Sequence, residues 1–394
     1  MSSNVWVHNL NPFIIQLGDN FGLRWYGMAY MMGFIAGAMI MIFMAKRGRR
    51  TIHVEQVTDF VTYCVLGVMI GGRLGYVFFY SPDLLTSFKA HLSIMIPGTS
   101  IGIQTDHFWS ALAVWEGGMA SHGGIIGLMV ASYLFARKFK LDWLHLGDLT
   151  CIGGTIGIFC GRIANFVNGE LMGREASPTL PWAVKFPTDM HRWIGYEPEK
   201  LGSLKEAASK IGIAPDQWSE WVNQFHINSL ASSQIQAVID RLILEVQKGN
   251  IAVTEALAQV LPPRHPSQLY EALLEGVFLF IVLFFFWKKP RKPGVVGALF
   301  LTLYSVVRIL GENFRMPDAH IAAQEFSHFG ITRGQLLSFG QFLLSAAFLY
   351  WVSRRKVEVI SGWGPEAQKL KADEEAQTSR NKPRKGLEPT TAKF

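Results

Sequence analysis

The stretch 161–174 (GRIANFVNGELMGR) sets two arginines, two asparagines and a glutamate at the end of an apolar segment, 149–160, that carries no charge. A helix running through that segment brings Arg162 into a membrane, where a charged side chain costs a few kcal/mol or more unless paired or hydrated. At 100° per residue, Arg162, Asn165, Gly169 and Gly173 share one helical face, with Glu170 at its flank. The two glycines let another helix, or a lipid head group, approach closely.

The elements that must position these residues are apolar and long. The 394-residue chain is 49% hydrophobic and only 17% charged, against about 25% charged in soluble domains. The net charge of +7 comes from Lys and Arg in short runs beside apolar segments. That distribution fits membrane topology better than a nucleic-acid partner. Neither a P-loop nor a DNA-binding motif is present.

Roughly 20 apolar residues span a bilayer. The segments 27–45, 117–136 and 335–353 meet that length without any Lys, Arg, Asp or Glu. Four more carry isolated ionisable groups: about 57–80 with Arg73, about 147–169 with Arg162, about 267–287 with Glu271 and Glu275, and about 294–315 with Arg308 and Glu312. The expected fold is therefore an all-α polytopic membrane protein of seven spans. The first apolar run lacks a basic n-region and a small-residue cleavage site, so it reads as a retained helix.

Basic runs at 46–50, 137–140, 288–292 and 354–356 follow spans one, three, five and seven. By the positive-inside rule the N-terminus lies outside and the C-terminus is cytoplasmic. Arg73, Arg162 and Arg308 then each sit seven or eight residues before the outer end of a span, about 10–12 Å deep at 1.5 Å per residue. Tyr26, His122 and Tyr270 fall near the outer starts of theirs. The bundle is expected over 1–175 and 263–356. Between them, 176–262 has amphipathic stretches such as 234–247 (QIQAVIDRLILEVQ) and reads as a small helical extramembrane domain on the outer side, a lid or docking surface. From 357 to 394 the chain is polar, which predicts a disordered cytoplasmic tail.

The run 161–174 resembles the signature of the prolipoprotein diacylglyceryl transferases. Four further stretches resemble the same family: 24–27 (RWYG), 121–124 (SHGG), 265–271 (HPSQLYE) and 308–318 (RILGENFRMPD). The likeness covers roughly 10–187 and 262–353. It implies a multi-pass enzyme of the bacterial inner membrane, with its active site facing the periplasm and outer leaflet. Such an enzyme moves the diacylglyceryl group of phosphatidylglycerol to the thiol of the lipobox cysteine in a prolipoprotein signal peptide, forming a thioether and releasing glycerol phosphate. It implies no cofactor and no metal.

That chemistry needs a thiolate, from a thiol whose free pKa is about 8.5, and stabilisation of charge on the departing phosphate. Arginine forks bind a phosphate by two parallel hydrogen bonds and keep their charge in a poor solvent. Arg162 and Arg308 are the expected phosphate ligands, with Arg73, Glu170, Gly173 and Tyr270 around the lipid. The plainer alternative pairs Arg162 with Glu170 and Arg308 with Glu312, as struts of the bundle; Arg73 has no carboxylate within a turn. His122 is the expected proton acceptor, with Gly123 and Gly124 leaving room for a substrate backbone. A histidine at a membrane boundary is otherwise a satisfied structural residue. Tyr26, Asn165 and Tyr270 supply donors that orient the head group, or serve as interfacial anchors and interhelical hydrogen bonds. Cys64, Cys151 and Cys160 lie within spans, without zinc or disulfide spacing, so the nucleophile is expected from the substrate. A transporter of a phosphate-bearing or lipid solute is the rival reading. It calls for similar halves, and only GGRLGYVFFY at 71 and CGRIANFVNG at 160 are faintly alike.

Overall fold

The computed structural model describes residues 5–16, 22–95, 102–113, 117–316 and 331–380, apart from the side chains of 91–95, 102–104, 106 and 378–380. Along the chain run α1 (Trp25–Arg47), α2 (Val54–Phe79), α3 (Ser121–Phe139) and α4 (Trp143–Asn168). Short helices follow: α5 (Asp189–Tyr196), α6 (Lys205–Ser209), α7 (Pro215–Gln224), α8 (Ser229–Gln247) and α9 (Ile251–Val260). Then come α10 (Ser267–Phe286), α11 (Val295–Glu312), α12 (Arg333–Arg354) and α13 (Pro365–Arg380).

Among the described residues, six helices are long and apolar enough to cross a membrane: α1, α2, α4, α10, α11 and α12. The expected seventh, α3, falls outside that set. It begins at Ser121, not at Gly117, and any 18 of its 19 residues take in His122, Arg137 and Lys138.

The strands are short and paired two by two. β1 (Trp6–Val7) runs parallel to β6 (Val184–Lys185), while β2 (Phe13–Gln16) with β3 (Gly22–Arg24) and β4 (Ala90–Met95) with β5 (Gly102–Phe108) form antiparallel ribbons.

Contacts divide the chain into two units, with boundaries inside α1, α4, α10, α11 and α12. The first holds 1–37, 152–283 and 298–350; the second holds the rest. In the first, close approach of α1 to α4 depends on glycine, because a Cβ on Gly33 would stand 2.9 Å from the Gly157 Cα. Helix α10 widens into a π-helical stretch at Ala272–Phe278, where Gly276 faces Phe159 of α4 with no room for a methyl group. Such stretches relax the ordinary helical spacing and recur at functional sites.

The segment 176–262, an insertion between the two parts of the bundle sequence, carries a core of its own within this unit. Helix α8 buries Ile235, Val238, Ile239, Leu242 and Val246, the one-faced stripe of an amphipathic helix. That stripe packs with Trp193, Leu201, Trp218, Leu257 and, from β1, Val7. Asn228 and Asn250 cap α8 and α9 through their side-chain oxygens.

In the second unit, α2 and α3 touch backbone to backbone along Gly67, Gly71, Gly75, Gly123 and Gly127. A Cβ on Gly71 would lie 2.3 Å from the Gly123 carbonyl oxygen, so only small residues allow the approach. The buried Asp148 carboxylate accepts the backbone N–H groups of Gly294 (2.8 Å) and Gly297 (2.6 Å). This satisfies otherwise partnerless donors at the α11 start.

The stretch after Lys356 is not structureless as far as Arg380. Trp363 stacks on Phe284, with ring centroids 4.7 Å apart, and donates its indole N–H to the Phe284 carbonyl at 2.8 Å. Arg49 and Arg50 both pair with Glu358 and Glu374. One aromatic anchor and an ion-pair network order what composition alone reads as a tail; residues 381–394 lie outside the described set.

Candidate active site

Arg162 projects from α4 toward two carboxylates of α10. Its Nε and Nη2 donate to Glu275 Oε2 at 3.3 and 2.9 Å, and its Nη1 lies 2.9 Å from Glu271 Oε2. Arg308 of α11 reaches the same pair: its Nη1 donates to Glu271 Oε1 at 2.8 Å and to Glu275 Oε1 at 3.2 Å. Glu312 stands further off, 3.7 Å from Arg308 Nη2, and Arg315 Nη1 is 3.7 Å from Glu271 Oε1. Both central carboxylates are 1% exposed, while Arg162 and Arg308 keep 16% and 18%. Three guanidiniums thus face three carboxylates. Ionisable groups inside a membrane bundle persist when paired and mark functional positions; removing one partner of a buried pair costs about 3–5 kcal/mol.

The two arginines therefore meet at one pair of carboxylates. Their partners differ from the alternatives weighed above. Arg162 pairs across helices with Glu271 and Glu275, not with Glu170. Arg308 makes its short contacts with Glu271 and Glu275, and only the long one with Glu312. The sequence signal for this was present: Glu271 and Glu275 lie one turn apart on an otherwise apolar span, and only the arginines of other spans can neutralise them.

Glu170 has a different role. Its Oε2 accepts from the Tyr26 hydroxyl at 3.0 Å, and the same hydroxyl contacts Asn165 Oδ1. Tyr26, Asn165 and Glu170 thus form a polar triad at the end of α4. The α4 exit is tight, with Gly169 at φ 68° and Leu171 at φ 54°, both left-handed. The close approach allowed by Gly173 is taken up by protein, because a Cβ there would meet the His265 and Phe314 carbonyl oxygens at 2.5 and 2.6 Å. Tyr270 accepts from the Trp182 indole at 2.7 Å and packs with His265 and Phe314.

His122, Gly123, Gly124 and Arg73 belong to the second unit. His122 is exposed in the first turn of α3. The room beside Gly123 is filled by Gly71 and Gly75 of α2, so that glycine serves helix packing and not a substrate backbone, while a Cβ on the buried Gly124 would stand at ordinary contact distance from Val68. Arg73 is 4% exposed and donates to the carbonyls of Ser110 (2.6 Å), Ala111 (2.9 Å), Gly117 and Gly118 (3.1 Å). It ties that loop to α2, and the expected lipid contact does not fit so buried a fork. Of the stretch 308–318, Pro317 and Asp318 lie outside the described residues. A second buried pair went unforeseen: Arg264 Nη2 stands 2.6 Å from Asp189 Oδ2.

Helices long enough to cross a membrane, with a buried guanidinium–carboxylate cluster beside a Tyr–Asn–Glu triad, define a multi-pass membrane protein with an ionisable site inside its bundle. The model of the prolipoprotein diacylglyceryl transferase family matches residues 12–351, and the chain belongs to that family. It is similar to a phosphatidylglycerol–prolipoprotein diacylglyceryl transferase of Bdellovibrio bacteriovorus, 46% identical over 357 residues, which cover 91% of this chain and 97% of the relative. A protein of the same description from Burkholderia cenocepacia is 34% identical over 354 residues, 88% of this chain and 96% of the relative.

Proposed function

We propose that the chain transfers the diacylglyceryl group of phosphatidylglycerol to a prolipoprotein, with Arg162 and Arg308 holding the lipid phosphate. The observation that carries this is the convergence of two partly exposed guanidiniums on Glu271 and Glu275 within a chain of this family. The acceptor is the lipobox cysteine thiol, and His122 is the base that takes its proton. The thiolate attacks the carbon of the diacylglyceryl moiety that is bonded to phosphate oxygen, not the head-group glycerol carbon. A C–S bond forms as that C–O bond breaks, and its electron pair leaves on glycerol phosphate. Arginine donors aimed at the developing charge lower the barrier. Tyr26, Asn165 and Glu170 orient the head group. A transporter reading is not favoured, because the family is one of transferases.

The test is transfer of labelled diacylglycerol from phosphatidylglycerol vesicles to a lipobox peptide by purified protein. Cys64, Cys151 and Cys160 are free thiols, so a variant with all three replaced by serine is expected to retain substantial turnover per folded molecule. A folded triple variant without turnover would point to an enzyme-borne nucleophile and a two-step reaction.

The proposed topology has seven spans, α3 among them, with the N-terminus and insertion outside and the C-terminus in the cytoplasm. Support comes from the basic runs after α1, α3, α10 and α12. Helix α2 leads away from the first of these, so α3 must cross back to put 137–140 on the same side. In a cysteine-free background, Ser203→Cys is expected to label from outside with an impermeant thiol reagent, and Ser353→Cys only after permeabilisation. The reverse pattern would sink the orientation.

A further inference from the structure

The exit from α4 is held one carbonyl at a time by side chains from elsewhere in the first unit. The last carbonyls of a helix lack intrahelical partners. Here the Phe166 oxygen accepts from Gly169 N–H at 3.0 Å and lies 2.8 Å from His8 Nε2. The Gly169 oxygen accepts from the Thr188 hydroxyl at 2.6 Å. Beyond it, the Glu170 and Leu171 oxygens accept from Gln268 Nε2 (2.5 Å) and Ser267 Oγ (2.9 Å).

Two of these tethers come from outside the five stretches that carry the family likeness. His8 follows β1 and precedes residue 12, where the family match begins. Thr188 is the residue before α5, at the entrance to the insertion. They act on the segment that carries Asn165 and Glu170, and that segment contains two left-handed residues. A left-handed non-glycine such as Leu171 is strained and persists only where its surroundings over-determine it. The fit at Gly169 is close as well, since a Cβ there would lie 2.9 Å from Thr188 Oγ1. Burial lowers the His8 pKa to about 4, so at neutral pH the ring is uncharged and can donate Nε2–H to the Phe166 carbonyl.

We propose that His8 and Thr188 are positioning residues: they fix the α4 exit so that Asn165 and Glu170 meet Tyr26, and through them the insertion acts on the site. Val7, next to His8, lies in the core of the insertion. The insertion, β1 and the α4 exit are thus one clamp.

This rests on Asn165 and Glu170 serving the site. The test uses the full chain in phosphatidylglycerol vesicles with a lipobox peptide, recording kcat, KM for phosphatidylglycerol and Tm for each variant. Thr188→Val keeps the shape and deletes the donor. It is expected to lower kcat by about tenfold with KM within about twofold and little change in Tm, and Thr188→Ser is expected to restore kcat. His8→Ala and His8→Gln should repeat the contrast, which keeps the test available if Thr188→Val does not accumulate. Unchanged kcat in the donor-deleted variants, a loss that Thr188→Ser and His8→Gln fail to reverse, or a loss that tracks the folded fraction would each overturn the proposal. Arg162→Ala, measured alongside, separates the two readings. An active Arg162→Ala removes the phosphate role and leaves the Thr188 contrast intact.

Discussion

Arg162→Ala is expected to lose nearly all transfer activity, and Arg162→Lys most of it. Lysine keeps the charge but not the planar fork that holds two phosphate oxygens at once. A charged hydrogen bond is worth ~1.5–3 kcal/mol, and each 1.36 kcal/mol is about tenfold in rate. The loss should therefore exceed an order of magnitude even if phosphate contact were the whole effect. Arg162 also neutralises Glu271 and Glu275, so alanine should lower stability too. Thermal stability, phosphatidylglycerol binding and turnover measured on the same preparations separate the two roles. If Arg162→Ala binds the lipid as tightly as the parent and loses only stability, Arg162 is a strut. Arg308 then becomes the main phosphate ligand.

Much of the fold could be read before any coordinate, because six spans announce themselves by length alone. The site was legible in part. Arg162, Arg308, Tyr26, Asn165 and Glu170 were singled out, and the structure brings them together in one unit in two groups, the arginines on α10 carboxylates and the triad at the α4 exit. What the sequence hid was partnership. Helical spacing shows neighbours one turn away on the same helix, so it offered Glu170 and Glu312, whereas the closest carboxylates come from another helix. Glycine was ambiguous for a related reason. Its missing side chain signals close approach without saying what approaches, and at Gly123 and Gly173 the answer is backbone. Arg73 shows the same limit, since a loop rich in free carbonyls satisfies a guanidinium as well as a phosphate does. Order after Lys356 was hidden because one tryptophan and two glutamates, distant in sequence from their partners, decide it.

Glu275→Gln is expected to lower thermal stability and at the same time to tighten phosphatidylglycerol binding. In the described cluster three carboxylates balance three arginines, so an incoming phosphate must compete with a resident carboxylate for the same donors. Glu275 is the strongest competitor, because its Oε2 occupies both the Nε and Nη2 of Arg162 while its Oε1 meets Arg308. Glutamine keeps the shape and one acceptor but removes the charge, leaving a surplus guanidinium in a poorly solvated place. Breaking a buried pair costs about 3–5 kcal/mol when the partner is left alone; the remaining Glu271 should hold the loss below that. Added phosphatidylglycerol should then raise the Tm of Glu275→Gln more than that of the parent, because a ligand that binds only the folded state contributes RT ln(1 + [L]/Kd), about 2.7 kcal/mol at a hundredfold excess over Kd. The comparison is made in mixed vesicles against a zwitterionic lipid alone, so that a general bilayer effect cancels. Should lipid affinity fall in step with stability, Glu275 would be a support for the bound lipid and not its rival. The picture of phosphate displacing carboxylate at Arg162 would then be wrong.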